Sequence, residues 1–138
     1  MYAGYCILFL TRDNMYEYQV KSIDHIVDGD TFDCTLDLGF SISHKIRVRM
    51  YGINTPESRT RDLEEKARGL KSKERLTQLL NVGTTGQANL ILQTKEKGKY
   101  GRYLGIILRK RKDDDELLNI NERLVTEGFA VEYFGGKR

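Results

Sequence analysis

The sequence predicts a single α+β domain, mainly β, in which five strands form a barrel accompanied by two helices. Three observations carry that expectation. The chain has 138 residues, room for one compact domain and little more. Strand-like alternation of apolar and polar residues comes first, and helical spacing is confined to two later stretches. No repeat, low-complexity tract or linker divides the chain.

Taken in order, residues 1–14 read as a loosely attached leader to a domain spanning 15–138, with Met15 as an alternative start. Tyr16 to Val27 is apolar and β-prone enough for a first strand, although its alternation is imperfect. Asp28-Gly29 then marks a hairpin turn. Phe32, Cys34, Leu36 and Leu38 alternate with Thr31, Asp33, Thr35 and Asp37, the period of a half-buried strand. Gly39 offers the next turn, and Ile42, His44, Ile46, Val48 and Met50 return as a third strand. His44 and Cys34 fall on the apolar faces of their strands and are expected in the core.

Pro56 and the polar stretch after it break the alternation. A helix is predicted from about Leu63 to Leu80, with Gly69, Ser72, Leu76, Leu79 and Leu80 on its inner face. Glycine inside a helix costs about 1 kcal/mol relative to alanine, so Gly69 implies close packing. Ala88, Leu90 and Leu92 resume a strand, and Leu104, Ile106 and Leu108 make another. A short second helix follows, capped by Asn119 with Glu122 reaching back and ended by Gly128. Three strands, a helix, two strands and a helix is the order of a five-stranded OB-type barrel.

Composition narrows the function. Hydrophobic residues at 39% and charged residues at 31% suit a globular protein, and no apolar run approaches the roughly 18–20 residues of a membrane span. The apolar stretch ending at Leu10 lacks a basic lead-in and a small-residue cleavage site, so a cytoplasmic chain is expected over a secreted one. Cys6 and Cys34 are too few and too far apart for a metal knuckle or disulfide scaffold, and read as a reduced pair. The net charge of +3 conceals a partition. Residues 45–75 hold ten basic and five acidic groups, and 95–112 hold eight and one, with an uncharged stretch between. Two basic blocks that converge on one face would attract a polyanion. Asp113 to Asp115 reads as a solvated loop.

Three segments stand out: Val27-Asp28-Gly29-Asp30-Thr31, Arg49-Met50-Tyr51-Gly52-Ile53-Asn54-Thr55-Pro56-Glu57, and Lys99-Tyr100-Gly101-Arg102. Together, in this order and at these intervals, they resemble the thermonuclease (staphylococcal-nuclease-like) family over roughly Tyr18 to Phe134. The resemblance implies an OB-fold barrel, a bound Ca²⁺ and hydrolysis of DNA or RNA phosphodiesters. It implies Asp30 as a metal ligand, Asn54 where the family carries a second acidic ligand, and Thr55 ligating through its backbone carbonyl. Glu57 would position or deprotonate the attacking water, Arg49 and Arg102 would hold the scissile phosphate, and Lys99 and Tyr100 would contact the nucleotide.

Each role has a physical reason. Phosphodiester hydrolysis brings negative charge to a phosphate that is already negative, and a hard cation held by oxygen ligands offsets that repulsion. The planar arginine fork makes two charge-assisted hydrogen bonds to phosphate where lysine makes a point contact. Asn54 removes one negative charge from the metal site, and the chain stops at Arg138, soon after the short helix, where well-known family members continue into a further helix. The expectation is a Ca²⁺-dependent nuclease acting on DNA or RNA as a monomer. The alternative is a non-catalytic nucleic-acid-binding OB module. Retention of Arg49, Glu57 and Arg102 favours the enzyme.

Overall fold

The computed structural model describes residues 16–80, 89–97, 101–110 and 116–134. The leader, Cys6, Lys99, Tyr100 and Asp113 to Asp115 lie outside the described residues. The elements are β1 (Tyr16–Asp28), β2 (Thr31–Asp37), β3 (Ser43–Met50), β4 (Ile53–Asn54), α1 (Leu63–Leu79), β5 (Asn89–Lys97), β6 (Tyr103–Lys110), β7 (Leu117–Asn119), α2 (Ile120–Thr126) and β8 (Val131–Glu132). Antiparallel neighbours run β3-β2-β1-β5-β6, and β3 closes on β6 by parallel pairing of Val48, Arg49 and Met50 with Tyr103, Leu104 and Gly105. The result is a closed five-stranded mixed barrel with two helices, as the order of periodicities predicts.

The imperfect alternation of β1 has a structural cause. Its pairing with β2 shifts register between Val20 and Ser22, between Ile23 and His25, and between Ile26 and Asp28. Such bulges leave one residue unpaired and bend the strand, so consecutive Ile26 and Val27 are both buried. Two short pairings escaped the sequence reading: β4 with β8, and β7 along the edge of β6. Two- and three-residue strands carry too little periodicity to be read.

Phe32, Cys34, Val48, Leu92, Ile107, Ile120 and Leu124 fill the core. Burial, with Asp24 and Asp33 adding their repulsion, pushes the Cys34 thiol up to about 12, so it packs as an inert apolar group. His44 corrects the expectation of a core histidine: it is exposed, as are Leu38, Phe40 and Ile42. The alternation is real and β2 pairs along it, but β6 reaches only Val48 to Met50, and His44 lies beyond that closure.

Helix α1 begins where the Asp62 carboxylate accepts hydrogen bonds from the Glu64 and Glu65 N–H groups at 3.1 and 3.3 Å. Gly69, Ser72, Leu76 and Leu79 face inward, as predicted. Arg75 ties α1 to the end of α2 through Glu127 (Nε to Oε1, 2.5 Å), which Arg123 also engages at 2.6 Å. Asn119 caps α2 by accepting from the Glu122 N–H at 3.1 Å. Buried Asn121 then pins α2 to the barrel mouth. It accepts from the Ile107 N–H at 3.1 Å and donates to the Tyr51 and Gly105 carbonyls at 2.8 and 3.2 Å. Among the described residues no helix is long and apolar enough to cross a membrane.

Candidate active site

The Asp28-Gly29-Asp30 turn joins β1 to β2 and sits against α1. A Cβ on Gly29 would lie 2.6 Å from the Ser72 Cβ and 3.1 Å from the Thr55 Cγ2, so only glycine lets the turn seat this deeply. That seating aims Asp30 inward, where it is 5% exposed. One carboxylate oxygen of Asp30 accepts from the Thr31 hydroxyl at 2.9 Å, and the other accepts from the Thr55 N–H at 3.0 Å. The second oxygen also lies 3.4 Å from the Arg49 guanidinium. A residue of the first predicted segment thus grips two of the second.

Arg49 is held from three sides. Besides Asp30, its Nη1 donates to the Met50 carbonyl at 2.9 Å and its Nη2 to the Asn54 Oδ1 at 3.3 Å. A guanidinium presents its donors in a fixed plane, so these contacts orient the fork. The segment that follows is anchored as firmly. Asp28 accepts from the Ser58 hydroxyl and, at 3.2 Å, from the Ser58 N–H. Behind it, a Cβ on Gly69 would run into the Glu57 carbonyl and lie 2.7 Å from the Ser58 nitrogen. The close packing implied by a mid-helix glycine is therefore packing beneath Glu57.

Asp30, Arg49, Thr55, Glu57 and Arg102 line one cavity of about 480 Å³, together with Asp28, Thr31 and Arg59. Three chain segments that the sequence separates by up to 74 positions meet there, through the β3–β6 closure that brings Arg49 beside the start of β6. Asn54 lies outside this lining, in a neighbouring cleft, and reaches the site through its contact with Arg49. Sequence reasoning missed the loop-holding part of Asp28 and the presence of Arg59. Asp28 stood in a quoted motif, but its partner Ser58 is 30 residues away. Arg59 was one of ten cations in a basic block.

A hard divalent cation would need oxygen donors. The Asp30 carboxylate, the Asn54 amide oxygen and the Thr55 carbonyl are all oxygens, and the buried Thr55 hydroxyl has no hydrogen-bond partner among the described residues. A carboxylate has about four lone-pair sites, and the two hydrogen bonds to Asp30 leave it capacity for a cation. The donor set fits such an ion in kind and is sparse in charge. Among the described residues no three His, Cys, Asp or Glu side chains gather to hold a metal.

A family model described as staphylococcal nuclease homologue matches residues 47–138. That span contains Arg49, Asn54, Thr55, Glu57 and Arg102, and Asp30 precedes it. No curated protein matches the chain.

Proposed function

The chain belongs to the staphylococcal nuclease homologue family, and from that premise we propose that it is a Ca²⁺-dependent nuclease hydrolysing phosphodiester bonds of DNA or RNA. One observation carries the reading: Asp30, Arg49, Glu57 and Arg102 line the same cavity. Two arginines and two carboxylates are the groups that in-line attack of water on a phosphodiester requires.

Arg49 and Arg102 would clamp the phosphate oxygens, strengthening as negative charge grows on them in the transition state. Arg49 suits this because Asp30, Asn54 and the Met50 carbonyl already fix its fork, so little ordering remains when substrate binds. Glu57 would orient the attacking water and take its proton as the new P–O bond forms and the ester oxygen departs. A carboxylate is a weak general base, so orienting the water is the larger part of its contribution. Asp30, Asn54 and the Thr55 carbonyl would hold Ca²⁺, whose chemistry there is charge neutralisation and polarisation of the phosphoryl oxygen. Lys99 and Tyr100 keep their assignment as nucleotide contacts on the resemblance alone.

The sparse charge of the cation site favours a second reading, a nucleic-acid-binding module without turnover. Incubating the protein with plasmid and denatured DNA, with Ca²⁺ or with chelator, separates the two. Chelator-sensitive cleavage is expected. Binding without cleavage across Ca²⁺, Mg²⁺ and Mn²⁺ would establish the binding module instead.

A further inference from the structure

Three arginines line the candidate cavity, and they are not equivalent. Arg49 is tied to Asp30, Asn54 and the Met50 carbonyl, and Arg102 has an interaction partner too. Arg59 is exposed and makes no ion pair or hydrogen bond among the described residues. None of the cavity's three carboxylates pairs with it: Asp28 accepts from Ser58, Asp30 accepts from Thr31 and Thr55 beside Arg49, and Glu57 has an interaction of its own.

The backbone that presents Arg59 is nevertheless fixed at both ends. Ser58, directly before it, is held by Asp28 and backed by Gly69. Three residues on, Asp62 caps α1, and its N–H donates to the Thr60 hydroxyl at 3.3 Å. A cation with an ordered base, no partner among the described residues and a face on an arginine-lined cavity is a waiting anion contact. The cavity's volume of about 480 Å³ is that of a site for a whole small ligand, more than one phosphoryl group needs.

Resting on the nuclease reading, we propose that Arg59 binds a second phosphate, the one adjacent to the scissile phosphodiester. The substrate is then an extended polynucleotide and not a mononucleotide. Arg59 acts in binding; it neither activates water nor holds the reacting phosphate.

Fluorescence anisotropy in chelator, with a labelled single-stranded 20-mer and with a labelled nucleoside 5′-monophosphate, tests this without relying on turnover. Each phosphate contact to a single strand contributes about 0.7 to the slope of log affinity against log salt concentration. Arg59→Ala should reduce the 20-mer slope by about that amount and weaken binding roughly three- to tenfold at moderate salt. Arg59→Lys should keep the slope, and monophosphate binding should be unchanged in both variants. An Ala variant with wild-type slope and affinity overturns the proposal and leaves the nuclease reading standing. Equal loss of monophosphate binding also overturns it, because Arg59 would then serve the scissile position. Absence of salt-dependent 20-mer binding by the wild-type chain both in chelator and with Ca²⁺ removes the nuclease reading and this one together.

Discussion

Gly69 on α1 lies directly beneath the backbone of Glu57, so that a side chain at position 69 would collide with the Glu57 carbonyl. A helix and the loop carrying Glu57 are thereby spaced by the absence of one methyl group. Gly69→Ala should gain about 1 kcal/mol in helix propensity and lose about 1–3 kcal/mol to overpacking. The expected net effect is lower stability in urea unfolding, together with a fall in turnover of about tenfold or more as Glu57 moves. A variant with raised stability and intact turnover would show that the loop yields freely.

Arg102→Lys keeps the charge and loses the fork. Turnover should fall by about 10²–10³, with substrate affinity changed much less. Steady-state kinetics that show only a raised KM would make Arg102 a binding residue.

Asn54→Asp adds a full negative charge to a site that has little. At about 2.4 Å from a divalent ion that charge is worth roughly 3 kcal/mol in a water-like dielectric. Neighbouring Asp30 repels it, and Arg49, already 3.3 Å from the Asn54 oxygen, competes for it. Calorimetric titration should show Ca²⁺ binding tightened by about tenfold. Unchanged or weaker affinity would place Asn54 away from the ion.

Glu127 sets a pH dependence outside the cavity's lining. Hydrogen bonds from Arg75 and then Arg123 hold its carboxyl down at about 2, against an ordinary 4.5. The folded value is the lower one, so the network stabilises the protein above about 4.5 and loses that contribution as pH falls from there through 2. Discounted for solvent screening, the network contributes about 1–2 kcal/mol at neutral pH. The stability gap between wild type and Glu127→Gln, measured by denaturant unfolding, should shrink across that acid window and with added salt. A gap that stayed constant down to the acid limit would rule the network out as its source.

The sequence by itself determined the strands and helices that bury one face along their length, because that burial is written as a local period. β2, the buried half of β3 and the inner face of α1 were legible this way, as were the Asn119 cap and the family motifs. Tertiary structure alone decided how those pieces meet. The β3–β6 closure puts Arg49 and Arg102 on one cavity, bulges in β1 scramble its alternation, and Asp28 holds Ser58 across 30 residues. His44 shows the same limit from the other side: its strand alternates correctly and pairs with β2, yet it lies beyond the β6 closure and is exposed. Arg59 was one cation among many until Asp30 and Asp28 were seen to be engaged elsewhere. Periodicity depends on the few residues nearest in the chain, whereas burial, ion pairing and cavity lining depend on contacts between distant segments.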